Sequence, residues 1–301
     1  MKKLLLTTAA FGMLAFPAMA ADQAPVFTTP IPVPIYSAPI PIPVCIWCGF
    51  YLGLNAGGTW SDNNSVAVDS VLTQDLPPGP ASFGAASAAG AAGNVSVGQS
   101  LGFIGGGQIG YNWQVSGAWL VGLETDISVI PTVGGLGSGT LTNSVGPFPF
   151  VGAPEVVKTS IVSTSTLDYL GTVRGRLGYL TPTFLLYGTG GLAYGGVKAS
   201  TAITQSNNDC SFFPACLQPS TSAAGSFSQT RPGWTAGVGL EWMFVPKWSV
   251  KVEYLHYDLG SVTFSNGALR TSGPLGLAVV GSTSTVNFSG EIVRAGVNYH
   301  W

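Results

Sequence analysis

The amino-acid sequence predicts an all-β protein, an eight-stranded antiparallel up-and-down transmembrane β-barrel. One observation is the segment Gly233–Leu259, where apolar residues alternate with small, polar or charged ones at the period of two that is typical of β-strands. A second is the composition: 8% of the 301 residues are charged, 42 are glycine, and the mean hydropathy is +0.38. A third is that no segment after residue 20 approaches the roughly 20 apolar residues of a spanning helix. Apolar residues dispersed over alternating strands suit a barrel, because every second side chain meets lipid.

The first 20 residues are predicted to be a secretory signal peptide. Lys2 and Lys3 precede an apolar run, and Ala18-Met19-Ala20 provides a small-residue cleavage site. Cleavage there changes the formal net charge from −2 to −4, because nine basic and 13 acidic residues remain. The few basic residues are not clustered, which argues against a nucleic-acid partner.

Residues 21–48 are predicted to form a Pro-rich periplasmic segment. Seven prolines between residues 25 and 43 favour an extended polyproline II conformation. A stiff spacer is the favoured interpretation, and a ligand for the cell wall or another partner is the alternative.

Residues 49–301 are predicted to form the barrel with four long outer loops. In chain order, the predicted strands are 49–60, 101–114, 119–127, 166–180, 184–198, 233–244, 248–259 and 285–301. Short turns are expected near 115–118, 181–183 and 245–247, and long Gly/Ser/Asn-rich segments cover about 61–100, 130–165, 200–229 and 261–284. Short periplasmic turns and long outer loops are typical of outer-membrane barrels, and we expect these loops to be exposed and partly mobile.

Aromatic residues recur where the predicted strands end at the short turns or at a terminus. They are expected to form a girdle at the membrane interface: Phe50, Trp113, Trp119, Tyr179, Phe184, Phe244, Trp248 and Trp301.

Charged residues occupy the opposite face of the same strands and are expected to form a network in the lumen. The predicted members are Glu124, Asp126, Asp168, Glu241 and Glu253 with Arg174, Arg176, Lys251 and Arg294. An eight-stranded barrel has an interior just filled by side chains, and buried charges must be paired. We therefore expect these side chains to fill the lumen and to pair their charges with one another, with a narrow channel for small solutes as the alternative.

A glycine motif and a histidine are the next candidates for chemistry. Gly105, Gly107 and Gly110 spell G-x-G-x-x-G, but they lie inside a predicted strand and not between a strand and a helix, so nucleotide binding is not expected. These glycines are instead expected to make room for large lumen neighbours or bends. His256 is expected on the lipid-facing side near the outer end of its strand. An outer-leaflet lipid-modifying enzyme would need a nucleophile beside it, and none can be assigned.

The four cysteines fall into two pairs at opposite ends of the predicted barrel, so they are not expected to form one zinc site. Secretion favours disulfides, and a Cys210–Cys216 bridge across the third outer loop is preferred. For Cys45 and Cys48, a structural bridge and two thiols both remain open.

The strand segments resemble the outer-membrane β-barrel family of alpha-proteobacterial surface antigens. The similar segments are GFYLGLNAGGTW (49–60), GGGQIGYNWQ (105–114), VGLETDIS (121–128), YLGTVRGRLGYL (169–180), LLYGTGGLAYG (185–195), GWTAGVGLEW (233–242), VEYLHYDLG (252–260) and the terminal VRAGVNYHW. The resemblance covers nearly every strand and almost none of the loops. It implies that Trp301 is the assembly signal read by the outer-membrane insertion machinery, where Phe is more usual. The long first loop, the CIWC segment and the loop cysteines depart from the family pattern and leave partner specificity open.

Together, these observations predict a non-enzymatic integral protein of the bacterial outer membrane with a structural and adhesive, surface-antigen role. No cofactor or metal is expected. The expected partners are outer-membrane lipid, the insertion machinery, and host or cell-wall molecules that meet the loops or the Pro-rich segment.

Overall fold

The computed structural model describes residues 45–62, 65–76, 82–97, 101–131, 137–148, 155–207, 220–273 and 276–301. The predicted signal peptide and residues 21–44 of the Pro-rich segment lie outside these ranges, as do Cys210 and Cys216. The strands are β1 (Gly49–Ser61), β2 (Ser65–Leu76), β3 (Gly93–Ser96), β4 (Gly102–Ser116), β5 (Trp119–Val129), β6 (Gly137–Phe148), β7 (Glu155–Leu180), β8 (Phe184–Asn207), β9 (Thr221–Val245), β10 (Trp248–Gly273) and β11 (Gly276–His300), with helix α1 at Ser82–Gly90. No helix in these ranges is long and apolar enough to cross a membrane.

Eight of these strands form a closed antiparallel ring. Its order is β1-β4-β5-β7-β8-β9-β10-β11, and β11 pairs back onto β1 from Tyr51↔His300 to Ser61↔Gly290. Closure leaves no open edge in this part of the sheet, so the backbone groups of all eight strands are paired. The predicted eight-stranded all-β barrel is thus confirmed.

The wall of this ring is apolar outside and polar inside. Trp234, Leu240 and Val297 are each between 42% and 50% exposed on the outer surface, whereas Arg174 and Glu241 are buried within the ring. Large apolar side chains exposed on a continuous wall are the signature of a surface covered by hydrocarbon. We call this outward apolar surface of the eight-stranded ring the apolar band.

Beyond the apolar band the same strands continue with their polarity reversed. On β10 the buried positions change from Lys251 and Glu253 to Leu255 and Tyr257, while the outward positions change from Tyr254 to His256. In a region that meets water on its outer side, the apolar face must turn inward. We call this region the outer extension; it comprises 155–167, 196–207, 221–232, 255–273 and 276–292 together with β2, β3, β6 and α1.

The outer extension is also a sheet of paired strands. β2 follows β1 in the same direction and pairs with β11 from Ala67↔Thr285 to Leu76↔Leu277, and β6 likewise follows β5 and pairs with β7. β3 pairs with β2, so among the residues that the structure describes β3 and β6 are the two edge strands, and they lie against each other. Inside, a large apolar core contains Val262, Phe264 and Val286.

These strands correct the predicted boundaries. The long segments 61–100, 130–165, 200–229 and 261–284 were expected to be loops, yet their described parts are mostly strand and one helix. The period of two was hidden there because the apolar face changes sides and because bulges shift the register, as between Asp258 and Ser261 and between Ser265 and Gly267 on β10.

Candidate functional site: the closed lumen

Acidic and basic side chains from four strands meet at mid-height in the lumen. Arg174 on β7 donates to Glu124 on β5, to Asp126 Oδ2 at 2.9 Å and to Glu253 Oε1 at 3.3 Å. Arg294 on β11 binds the other side of the same acids, with Asp126 Oδ2 at 3.0 Å and Glu253 Oε2 at 2.8 Å. The period of two places each of these side chains inside, and the closed ring brings charged side chains of four strands within ion-pair distance of one another.

Lysine and tyrosine complete this layer. Lys251 Nζ lies 2.9 Å from Glu124 Oε1 and 3.4 Å from Glu253 Oε1. The Tyr51 hydroxyl donates to Glu124 Oε2 at 2.6 Å, and the Tyr187 hydroxyl donates to Glu253 Oε1 at 2.7 Å. Because each buried carboxylate accepts several hydrogen bonds from charged or hydroxyl donors, the cost of removing it from water is offset.

A second layer of the network lies nearer the short turns. Arg176 donates to Asn112 Oδ1 at 2.8 Å and lies 3.4 Å from Glu241 Oε2, with its guanidinium 4.4 Å from the centre of the Tyr51 ring. Glu241 also accepts from Asn298 Nδ2 at 2.6 Å. The planar Arg176 side chain thereby joins the two layers by stacking as well as by charge.

Glycines facing the lumen make this filling possible. A Cβ atom built on Gly110 would overlap the Tyr51 ring, one on Gly239 would overlap the Tyr187 ring, and one on Gly122 would lie 2.9 Å from Arg176 Nε. Gly110 belongs to the G-x-G-x-x-G motif, so at this position the glycine accommodates a large lumen neighbour within strand β4, as predicted.

An apolar layer closes the lumen at the short-turn end. Trp47 is 2% exposed and packs with the inward side chains of Leu120, Leu185 and Tyr187. Its carbonyl accepts from Asn112 Nδ2 at 2.9 Å, and its ring meets that of His300 edge-on at 5.8 Å. Of the two states left open by the sequence, Cys45 and Cys48 form the disulfide, and they bracket Trp47 in a tight turn.

A second apolar layer and α1 close the opposite end. Above the charges the inward positions are Ile104, Leu170, Leu255 and Ile292, all buried. Further out, α1 lies inside the extension: Ser87 exchanges hydrogen bonds with the inward side chain of Gln205 at 2.6 and 2.7 Å, and Ala88 is buried. The charged network is therefore sealed between two apolar layers.

Eight of the nine charges predicted for the lumen lie in this network. They are four acids (Glu124, Asp126, Glu241 and Glu253) and four bases (Arg174, Arg176, Lys251 and Arg294). Their formal charges cancel, with His300 at 3.3 Å from Glu241 as an additional titratable partner.

The prediction for Asp168 was wrong. Its carboxylate lies 2.7 Å from the outward Lys198 ammonium, and the two side chains are 33% and 57% exposed. A register shift on β7 between Leu167 and Leu170 exchanges the inward and outward positions of the strand. Asp168 therefore faces outward, as even-numbered residues of β7 do in the outer extension.

Sequence reasoning missed Tyr51, Tyr187 and Trp47. Tyr51 has the inward parity on β1 and Tyr187 alternates with the outward Leu186, so the period of two contained the signal. Trp47 precedes β1, and no periodicity predicts where it packs.

The aromatic residues predicted for the girdle all lie on the outer surface. Each is between 43% and 62% exposed: Phe50, Trp113, Trp119, Tyr179, Phe184, Phe244, Trp248 and Trp301. Ring contacts connect them with further outward aromatics, such as Trp242 between Phe184 and Phe244, and Tyr299 between Trp248 and Trp301. Trp301 donates its backbone N–H to Phe50 O at 3.1 Å, which joins the C-terminus to the first strand of the ring.

This closed ring, with an apolar band, an aromatic girdle at the short-turn end and a salt-bridged interior, defines a transmembrane β-barrel of the outer-membrane type. The comparisons agree: residues 46–300 match the family model "Outer membrane protein beta-barrel domain". The chain belongs to this family of integral outer-membrane proteins.

Two relatives extend the comparison. The chain is 32% identical to the 31 kDa outer-membrane immunogenic protein of Brucella melitensis, with 99% of both chains covered. It is 31% identical to a 22 kDa outer membrane protein of Rhizobium leguminosarum bv. viciae, over 58% of this chain and 65% of that one. Among solved structures, the outer membrane protein OprG of Pseudomonas aeruginosa is 14% identical, with a TM-score of 0.35, and the alignment covers 84% of this chain and 97% of that chain.

Proposed function

We propose that this protein is a structural and adhesive surface protein that does not conduct solutes. The observation that carries the proposal is the sealed lumen: the side chains of Arg174, Lys251 and Glu253 are 0% exposed although all three are charged. A water-filled pore would hydrate such groups. An outward surface rich in Ser and Thr on the outer extension provides the area for contact with other molecules.

The name of the Brucella relative, an outer-membrane immunogenic protein, supports exposure at the cell surface. The proposed partners are outer-membrane lipid along the apolar band, the insertion machinery at the terminal Trp301, and host or cell-wall molecules. No enzymatic activity and no nucleic-acid partner are part of this proposal. In its support, the imidazole of His256 has a carboxylate, that of Glu291, and no hydroxyl as its hydrogen-bond partner among the described residues, whereas a hydrolytic base would need a hydroxyl nucleophile.

Planar-bilayer recording tests the sealed lumen. The folded, purified protein is expected to leave the membrane silent, because both ends of the lumen are apolar and its centre is filled. Discrete conductance steps would support the narrow-channel alternative instead. Trp47→Ala is an informative companion, since a channel blocked by that side chain alone would begin to conduct.

Labelling of intact cells tests surface exposure. In a background with Cys210 and Cys216 replaced by Ser, Thr263→Cys is expected to react with a membrane-impermeant maleimide, because Thr263 faces outward on the outer extension. Val252→Cys in the apolar band and Lys247→Cys in a short turn are the matched controls, and neither is expected to react. Equal labelling of Lys247→Cys and Thr263→Cys would contradict the proposed orientation.

A further inference from the structure

Three neighbouring strands bring an imidazole and two carboxylates together on the outer wall. His256 of β10 is directly paired with Glu291 of β11, and Asp62 follows the last residue of β1, whose Ser61 pairs with Gly290. All three lie where the apolar band ends and the outer extension begins. The site is therefore separate from the lumen and from the aromatic girdle at the short-turn end.

The distances fit a metal centre. His256 Nδ1 lies 2.9 Å from Glu291 Oε1 and 3.6 Å from Asp62 Oδ2, and the three potential ligand atoms all lie within 4.8 Å of one another. Tetrahedral ligands at about 2.0–2.2 Å from a zinc ion are separated by about 3.3–3.6 Å. Small side-chain rotations thus suffice to place one ion between the three atoms.

At this position two carboxylates share one imidazole as their ion-pair partner. Neither Asp62 nor Glu291 has a Lys or Arg partner within ion-pair distance in the described ranges of the chain. Glu291 Oε2 is buried and makes no hydrogen bond there, and the neutral Tyr254 hydroxyl is a neighbour of this carboxylate. A buried carboxylate oxygen without a donor is costly, and a cation would satisfy it.

The ligands are also held in place by the sheet. The Asp62 backbone N–H donates to Ser289 O at 3.1 Å, and the Trp234 ring lies 5.2 Å from the His256 ring on its other side. Such restraints reduce the ordering cost of binding.

We propose that Asp62, His256 and Glu291 bind one divalent transition-metal ion of the zinc class on the outer wall of the barrel. One imidazole nitrogen and two carboxylate oxygens suit zinc, whereas calcium and magnesium prefer oxygen ligands throughout. Since Asp62 and His256 are partly exposed, the fourth position is open to water from the cell exterior.

Metal titration of the folded full chain in detergent tests this proposal, with Cys210 and Cys216 replaced by Ser so that thiols do not compete. Calorimetry with Zn²⁺ is expected to give one site per chain, and Co²⁺ is expected to give the visible absorption of a low-coordinate N/O site. His256→Ala, Glu291→Gln and Asp62→Asn are each expected to weaken Zn²⁺ binding by about tenfold or more, because each removes one of three ligands. Asp258→Asn, an outward carboxylate two residues from His256, is the matched control and should bind as the parent does.

Fluorescence locates the ion. Cu²⁺ is expected to quench the emission of Trp234, whose ring lies beside His256, and of Trp60, which pairs directly with Glu291. Trp234→Phe should therefore remove part of this quenching while Zn²⁺ binding persists. Absence of stoichiometric Zn²⁺ binding, unchanged affinity in Glu291→Gln, or Ca²⁺ and Mg²⁺ binding as tightly as Zn²⁺ would each overturn the proposal. Heat-dependent gel mobility of every variant verifies that the barrel is folded.

Discussion

At the residue scale, the lumen depends on pairs of one glycine and one large side chain. Tyr51 occupies the space above Gly110, and its hydroxyl reaches Glu124 only because Gly110 carries no Cβ. Gly107 belongs to the same motif on the same strand, yet a Cβ there would have its nearest neighbour at 3.8 Å. Two glycines of one strand, three residues apart, therefore differ in their tolerance for substitution.

We predict that Gly110→Ala destabilises the barrel by about 1–3 kcal/mol, the usual cost of overpacking a filled interior. Gly107→Ala, its matched control, should be close to neutral. Urea unfolding in lipid vesicles measures both free energies. Adding Tyr51→Leu to Gly110→Ala should recover part of the loss, and the absence of any recovery would show that the overlap with Tyr51 is not the cause.

Ion pairs of this protein also differ by their surroundings. Arg294 lies within the sealed network between Asp126 and Glu253, whereas Lys198 and Asp168 form an exposed pair on the outer surface. Water and salt screen the exposed pair, and neither reaches the buried one.

Arg294→Met is expected to cost about 3–5 kcal/mol, because it removes one of the two arginines that Asp126 and Glu253 share and leaves one negative charge of the buried network uncompensated. Lys198→Met is expected to cost at most about 1 kcal/mol, since its pair is solvated. The two variants are compared by measuring their unfolding free energies at low and at high salt. A similar cost for both variants would mean that water enters the lumen.

At the element scale, α1 and the Trp47 turn perform the same task at opposite ends of the barrel. Both place an apolar side chain inside a ring of strands, and both are tied to it by hydrogen bonds, from Ser87 to Gln205 and from Asn112 to the Trp47 carbonyl. Each element is too short to be stable by itself and depends on this packing.

Ala88→Asp is expected to detach α1, because Ala88 is buried and an unpaired carboxylate there has no donor. Ala89→Asp, one residue further along the helix and exposed, should leave α1 in place. Limited proteolysis of the folded protein measures the difference as faster cleavage within the segment around α1. Equal cleavage rates in both variants would contradict the placement of α1 inside the outer extension.

At the scale of the whole molecule, polarity is arranged in three zones along the barrel axis. At the girdle end, aromatic side chains face outward and apolar side chains close the lumen. In the middle, the outer wall is apolar and the lumen is charged. In the outer extension, the outer wall is polar and the interior is an apolar core. Lipid is expected only along the first two zones, where the outward face is apolar.

Lipid contact can be measured with brominated acyl chains, which quench tryptophans that touch them. In variants that retain a single tryptophan, Trp242 and Trp248 should be quenched, because both are about half-exposed on the outer surface. Trp47 is the internal control and should be quenched far less, because it is buried inside the closure. Strong quenching of Trp47 would show that the short-turn end is open to lipid.

Individual residues show how much of the structure can be predicted from the sequence. Glu124, Lys251 and Glu253 were placed in the lumen from the period of two alone, because regular strands alternate strictly. Asp168 was misplaced by a bulge that adds one residue to β7, and such an irregularity changes parity without a clear signal in composition. The sequence predicts loops where the outer extension has strands, because the apolar face changes sides when the surrounding solvent changes from lipid to water.

The sequence by itself determined that the strands cross a membrane and which face of most strands meets lipid, because alternation is a local property of each strand. Only the tertiary structure decided that the lumen is sealed at both ends and that Asp62, His256 and Glu291 meet on the outer wall. Those features depend on which strands become neighbours and in which register, and register is a property of pairing between segments far apart in the chain.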